Sequence, residues 1–512
     1  MKKATCLFLC LAIILGIFSA CKSNGKPDEK EETTIEITTQ IVKEPEIKHE
    51  VRIGYFENRS LNPYQTDSNV NRNLLSLVYD SLFVIDDDFT ALPQLADTFT
   101  NEGNKLTVKL CDDLYFSDGS PISPADVVYS FNLAKSDVFY KERLKNFNNA
   151  VQGEESVIFT LRRSNIFAES CLVFPIIKHG TGTDKYPIGS GRYFFKKADG
   201  VLYLKENEAS THGEEMTTKR IRLVPISAEE SELYQLQSGD LTCFYDDLSD
   251  SSFTKINANM VRVPLNNLVY LAFNSNSKAL SDLKVREAIE MCVDKRSVAD
   301  SAYDGFCRVA NGVFNPDWAE NPSESNSKSV YNTIQAGETL EKANYVYAYK
   351  NNKYRSKNFE FLKLRFVVNK ENKARVEASE TITKAMRSAG IDVSLSKLSF
   401  EDYKKAIESG AFDLYLGEVR LSPDMDLSVF FAPGGEVSYG MDKSSTVAGA
   451  YFDFISGTVD FLTFNQVFNY EKPFIPICYR DGVACFSREL LYEGSINQYD
   501  LFKNVYSWEI AP

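Results

Sequence analysis

Residues 361–416 constrain the fold more than any other part of the chain. FLKLRFVV reads as a strand. RVEASETITKAMRSA reads as a helix with Val376, Ile382, Ala385, Met386 and Ala389 on one side, and Gly390 suits the left-handed position that ends it. IDVSLSKL alternates as a strand, FEDYKKAIES makes a short helix stopped by Gly410, and FDLYL is the next strand. Strand, helix, strand, helix, strand in so short a span implies parallel strands joined by right-handed crossovers, hence an α/β fold. Ligands of such sheets bind beyond the carboxyl ends of the strands. FDLYL is expected to end at Leu416, which puts residues 417–426 where a ligand would sit.

Earlier segments fit the same class. VRIGYF at 51–56 reads as a strand. KLTVKL at 105–110 alternates strictly, with Leu106, Val108 and Leu110 facing one way. Ser117-Asp118-Gly119-Ser120 makes a turn. Ser123 then serves as an N-cap, Pro124 suits the first helical position, and Asp126 faces the helix dipole. The helix runs on through Val127, Val128 and Phe131. No internal repeat of fixed period occurs.

The chain opens on Lys2 and Lys3, continues with an uncharged apolar run over 4–18, and reaches Phe18-Ser19-Ala20-Cys21. That order is a basic start, an apolar segment and a small-residue cleavage site. The tetrapeptide resembles the lipobox of bacterial lipoproteins, with Phe18 where leucine is usual. It makes 1–20 a signal peptide and Cys21 the lipid acceptor. The competing reading is an uncleaved membrane helix, which needs at least about 17 residues. Residues 22–50 are rich in Lys, Glu, Thr, Ser and Pro and cannot bury enough apolar surface to order themselves. Residues 21–50 therefore read as a lipidated tether, within which TTIEITTQIV alternates and could pair as an edge strand.

Charge and chemistry narrow the function. The formal net charge of −14 becomes −16 once Lys2 and Lys3 leave. This excludes nucleic-acid binding, which needs a basic face, and argues against a surface that clings to anionic lipid. Seven cysteines remain beyond Cys21, an odd and scattered set with no CxxC, which reads as buried free thiols with room for one pair. The three histidines, His49, His179 and His212, are isolated, and no HExxH, GxSxG or Walker loop occurs. Gly180-Thr181-Gly182 and Gly189-Ser190-Gly191 are too short to cradle phosphate. Asp86-Asp87-Asp88 and Asp246-Asp247 read as solvated turns. No metal-ligand spacing is present. The expectation is a protein that is not an enzyme and carries no metal and no cofactor.

LTVKLCDDLYFSDGSPISPADVVYSFNLAK at 106–135 resembles the signature of the extracellular solute-binding proteins of family 5, the oligopeptide- and dipeptide-binding subunits of ABC importers. Phe116, Asp118, Gly119, Pro121, Asp126, Val127 and Ser130 match its pattern, while Ser123 and Pro124 replace the usual Thr-Ala. YPIGSGRYFF at 186–195, LVYLAFNSNSKALSDLKVREAIEMCVDKRSV at 268–298 and the span 344–426 are similar to three further motifs in the same order. The resemblance implies a two-lobe, type II periplasmic-binding-protein-like architecture with a small inserted domain. By position, 51–75, 187–270 and 480–512 form lobe I, 76–186 the inserted domain, and 271–479 lobe II. It implies a ligand buried by hinge closure and held as an extended strand.

The site residues follow from the same resemblance. The family's peptide binders carry an aspartate for the peptide amine in a segment matched here by 417–426. Leu421 stands where that aspartate would be, Glu418 replaces a tryptophan, and Asp424 matches the second acidic position. Asp80 falls where the family has a glutamate contact. Arg420 can receive a carboxylate. The candidate ligand residues are Asp80, Glu418, Arg420, Asp424 and Asp426, with a rim salt-bridge cluster of Arg420, Asp424 and Asp426 as the competing reading. The implied function is capture of peptides or peptide-like solutes, by a monomer anchored through lipid to the outer face of the cell membrane, for delivery to ABC permease subunits. A nickel chelate, haem, a sugar, or a signalling peptide presented to a sensor are the alternatives.

Overall fold

The computed structural model of this protein describes residues 50–249, 257–321, 330–492 and 494–511. The signal peptide, Cys21, the tether to residue 49 and the edge strand expected at TTIEITTQIV lie outside the described residues. No helix among the described residues is long and apolar enough to cross a membrane.

β1 (Val51–Tyr55) is buried at every position, as a strand covered on both faces must be. β2 (Ala96–Glu102), β3 (Lys105–Leu110), β4 (Phe147–Gln152) and β5 (Ser156–Leu161) form a four-stranded antiparallel sheet in the order β2-β3-β5-β4. α1 (Pro124–Ser136) starts on the expected capping box. The Ser123 backbone N–H donates to Asp126 Oδ2 at 2.9 Å, and Pro124 opens the helix. Its Val127, Phe131 and Ala134 join Leu106, Val108, Phe147 and Phe159 in one buried cluster, which is where the alternation of KLTVKL points.

The main sheet is built from both ends of the chain. It takes β6 (Tyr193–Ala198), β7 (Val201–Glu206), β8 (Arg220–Pro225) and, after α2 (Glu230–Gln237), β9 (Cys243–Asp246). β10 (Asn259–Phe273) follows. Then come β11 (Lys363–Asn369), α3 (Lys373–Ser388), β12 (Asp392–Leu398), α4 (Phe400–Glu408), β13 (Leu414–Arg420) and finally β14 (Phe474–Phe486). The order is β12-β11-β13-β10-β14-β9-β1-β8-β7-β6, with Cys307–Val309 paired to β14 off this path, eleven strands among the described residues. β11 runs parallel to β12 and to β13, so the crossovers expected over 361–416 are present. Gly390 and Gly410 take φ of 92° and 70° where α3 and α4 end, a conformation that costs glycine little.

β10 and β14 are the two long strands at the centre of this sheet. β10 is buried on both faces from Leu268 onward. Val269, Leu271 and Phe273 pack into one apolar cluster, and Leu268, Tyr270 and Ala272 into another. Their antiparallel pairing is interrupted between Pro264 and Leu268. The freed backbone groups find side chains and loops instead. Arg308 Nη2 donates to the Leu265 carbonyl at 2.6 Å, and the Leu421 N–H donates to the Asn266 carbonyl at 2.9 Å. The seven cysteines after Cys21 are all free thiols, six of them buried.

Candidate ligand-binding site

β13 does not stop at Leu416. It continues to Arg420, because β10 offers partners all the way, from Leu271 opposite Leu416 to Asn267 opposite Arg420. Glu418 and Arg420 are therefore strand residues and not part of a loop. The other edge of β13 is occupied differently. β11 pairs with it only at Leu414 and Tyr415, so no strand runs along Gly417–Arg420 on that side among the described residues. Gly417 is held to glycine by packing. A Cβ there would sit 2.7 Å from the Tyr270 ring and 2.8 Å from that of Tyr415.

The pairing break in β10 sets two asparagines beside the end of β13. Asn267 Nδ2 donates to Glu418 Oε1 at 2.9 Å, and Arg420 Nε donates to Asn267 Oδ1 at 2.9 Å. Arg480 on β14 donates through Nε to Glu418 Oε1 at 2.6 Å, and Arg375 Nη2 lies 3.9 Å from Oε2. Burial pushes the Glu418 carboxyl up, but Arg480 and Arg375 outweigh it and hold the group below the usual carboxylate range. Asp247 closes the cluster. Its Oδ2 lies 3.4 Å from Arg420 Nη2, and its carbonyl accepts from Arg480 Nη1 at 2.7 Å. Tyr303 Oη and Arg375 Nε are buried here without a hydrogen-bond partner among the described residues. A cavity of about 190 Å³ adjoins them, lined by Arg480, Tyr303, Asn372 and Lys373 among others.

Asp424 and Asp426 form a second group. Asn266 fixes the loop that carries them, donating through Nδ2 to the carbonyls of Leu421 and Ser422 at 3.2 and 3.1 Å. Asp424 Oδ2 accepts from Asn165 Nδ2 at 2.8 Å. Asp426 lies 3.0 Å from Lys145 Nζ and accepts from Tyr451 Oη at 2.8 Å. Burial, then the charge of Asp426, pushes Asp424 up. Burial also acts on Asp426, but Lys145 and the bonds from Ser428 and Tyr451 win and draw it down. Glu169 is raised to about 7, chiefly by burial, with Asp424 and Glu320 adding repulsion.

Asp80 shares no partner with these four. It is 2% exposed, accepts from Gln94 Nε2 at 3.0 Å and lies 2.8 Å from His212 Nε2. So Asn267 bridges Glu418 and Arg420, Asp424 and Asp426 pair separately, and Asp80 sits under His212. Arg420, Asp424 and Asp426 do not make a common salt-bridge cluster. Arg420 pairs with Asp247 and Asp426 with Lys145, while Asp424 accepts hydrogen bonds from Asn165 and Ser422.

Sequence reasoning missed Asn267, Arg480, Arg375, Asp247, Asn165, Lys145 and His212. Their partners lie far off in the chain, 62 positions for Arg480 and Glu418 and 259 for Asn165 and Asp424. One local signal was available. Asn266-Asn267 interrupts the apolar run VPLNNLVYLAF, and two adjacent amides in a buried strand need partners. Among the described residues no group of three or more His, Cys, Asp or Glu side chains could hold a metal ion.

A family model described as bacterial extracellular solute-binding proteins, family 5 Middle, matches residues 90–436. The glutathione-binding protein GsiB of Escherichia coli strain K12 is 23% identical over 306 residues, which is 56% of this chain and 59% of GsiB. GsiB of Salmonella paratyphi A matches to the same extent, so the chain spans about three fifths of the length of these relatives. Solved structures share the fold over most of both chains. The nickel ABC transporter protein from Bacillus halodurans has a TM-score of 0.73 at 17% identity, covering 90% of this chain and 100% of its own. The murein tripeptide-binding protein MppA, in an unliganded open form, has 0.72 at 17%, covering 91% and 98%. The oligopeptide-binding protein AppA from Bacillus subtilis, in complex with a nonapeptide, has 0.59 at 19%, covering 90% and 99%. The fold is thus the two-lobe, type II periplasmic-binding-protein-like one.

Proposed function

The chain belongs to the bacterial extracellular solute-binding proteins of family 5, and from that premise we propose that it captures a peptide or peptide-like solute and delivers it to the permease of an ABC importer. It performs no covalent step. The observation that carries this reading is the edge of β13 at Gly417–Arg420, which pairs with no strand among the described residues and is flanked by the Glu418, Arg420, Asn267 and Arg480 cluster. An extended backbone can add to such an edge through main-chain hydrogen bonds, which read no side chain. The fixed charges then meet its ends. Arg420 receives a carboxylate, Asp424 an amine, with Asp80, Glu418 and Asp426 completing the acidic side.

The lobes divide as 51–75, 187–270 and 480–512 against 271–479, with 76–186 inserted, and β10 and β14 carry the hinge. Loss of pairing with β14 at 265–267 makes that stretch the natural pivot. Cys21 anchors the chain by lipid to the outer face of the cell membrane, and Cys21→Ser leaves the protein out of the detergent phase.

Mass spectrometry of the solute released from the purified protein tests the function. A peptide that raises thermal stability on re-addition, by about 2.7 kcal/mol at a hundredfold excess over its Kd, supports it. Release of a metal chelate, haem or sugar, with no response to a diverse peptide library, overturns the peptide reading.

A further inference from the structure

The net charge of the chain is spread unevenly. Residues 342–363 hold six basic residues, Lys342, Lys350, Lys353, Arg355, Lys357 and Lys363, against one acidic residue, Glu360, in a chain of net charge −14. The same stretch carries Tyr345, Tyr347, Tyr349, Tyr354, Phe359 and Phe361. The middle of the stretch folds into a hairpin. Ser356–Lys357 pairs antiparallel with Glu360–Phe361, and Val346 bridges to Ser356.

The two residues at the tip of this hairpin are Asn358 and Phe359, with φ of 53° and 66°. A tight hairpin turn with both central residues left-handed ordinarily takes Asn-Gly. A bulky side chain in that conformation is strained. Here the strained residue is a phenylalanine that is 86% exposed, the most exposed of the large apolar side chains described. Tyr349, ten positions earlier, is 70% exposed, and Val346, Tyr347 and Phe361 also lie open. An apolar ring held out in water at a backbone cost does nothing for the core.

The surrounding charges complete the pattern. Arg355 pairs with Glu341, Lys357 with Asp282, and Glu360 with Lys278. Lys342, Lys350, Lys353 and Lys363 have no carboxylate partner among the described residues. Lys353 also lines a shallow groove with Lys384 and Arg387 of α3, beside Glu380. Phe359, exposed at the hairpin turn, thus lies in a stretch of exposed aromatic residues and of lysines without a carboxylate partner among the described residues. A single exposed ring in a cationic, tyrosine-rich segment suits the headgroup boundary of a bilayer, where the ring enters the apolar margin, tyrosines lie at the interface and lysines meet phosphates.

We propose that the 345–363 hairpin docks on an anionic phospholipid surface with Phe359 as the inserting side chain. The negative net charge disfavours membrane contact for the chain as a whole but not for this face. The docking is independent of ligand and of Cys21.

A full-chain Phe359→Trp variant tests it, because both native tryptophans are buried, Trp318 at 4% and Trp508 at 1% exposure, and report little from the surface. The probes are phosphatidylcholine vesicles with and without about 30% phosphatidylglycerol, chosen for the negative surface potential. The expected result is a blue shift, and quenching by brominated acyl chains, on the anionic vesicles alone. High salt removes both. Combined Lys350→Glu, Lys353→Glu and Lys363→Glu changes weaken the response at least about tenfold. Tyr349→Trp is the second reporter should the first fold poorly. Unchanged emission on anionic vesicles in both reporters overturns the proposal. An equal response to neutral vesicles overturns it as well, and so does a response to soluble polyglutamate that matches the one to vesicles.

Discussion

Asn165 donates a 2.8 Å hydrogen bond to the buried carboxylate of Asp424 across 259 positions of chain, tying the short turn that follows the four-stranded sheet to the loop that leaves β13. Neither residue is exposed, and Asp424 is pushed up by burial and by Asp426. In the lobe division proposed above, the bond joins the inserted domain to lobe II.

Asp424→Ala and Asn165→Ala are expected to weaken solute binding by similar factors, and the double variant by little more than either. The coupling should be about 1–3 kcal/mol, as for a hydrogen bond to a charged group. Calorimetry of the four proteins measures it. Additive losses would place Asp424 on the ligand independently of Asn165.

Arg420 makes its own prediction. Its side chain is 48% exposed and its pair with Asp247 is 3.4 Å long, so that pair adds under about 1 kcal/mol to stability. If it receives a carboxylate, Arg420→Ala weakens a peptide with a free C-terminus about tenfold or more and its amidated form far less. Equal loss for both forms would remove Arg420 from that role.

Gly417→Ala is expected to destabilise the fold by about 1–3 kcal/mol through overpacking. The added methyl would meet the Tyr270 and Tyr415 rings at 2.7 and 2.8 Å in a buried strand. A denaturant midpoint equal to wild type would show that these rings can move aside.

Glu232 on α2 is 6% exposed and is raised from 4.5 to about 8, first by burial and then by Glu229 and Asp246. The folded state keeps a proton that the unfolded state releases between those two values. This contribution to stability is complete below about pH 4.5 and is lost as pH rises to about 8, at no more than about 1.4 kcal/mol per pH unit. Glu232→Gln keeps the shape and removes this dependence, so wild type and variant should diverge on going from pH 5 to pH 8.5 in equilibrium unfolding. Parallel curves would show that Glu232 ionises freely in the folded protein.

Elements that depend on neighbours in sequence were legible from the residues alone. The capping box of Ser123, Pro124 and Asp126, the buried face of KLTVKL, the glycine stops at 390 and 410 and the parallel unit over 361–416 all rest on contacts a few positions apart or on side-chain period. The end of β13 was misplaced because strand length is decided by the partner. Leu421 follows a strand that ends four residues later than FDLYL implied, since β10 continues to Asn267. The identities of Glu418, Arg420, Asp424 and Asp426 could be read as a charged segment near the carboxyl end of a strand. What holds each charge could not. Arg480, Lys145, Asn165 and His212 reach their partners only when distant segments pack, and a buried charge takes whichever counter-group the fold brings to it. The sequence thus determined the α/β class, the order of elements and the supply of charged side chains. Only the tertiary structure decided which of those charges meet and how far each neighbouring strand pairs along β13, because both depend on long-range contacts that local pattern does not encode.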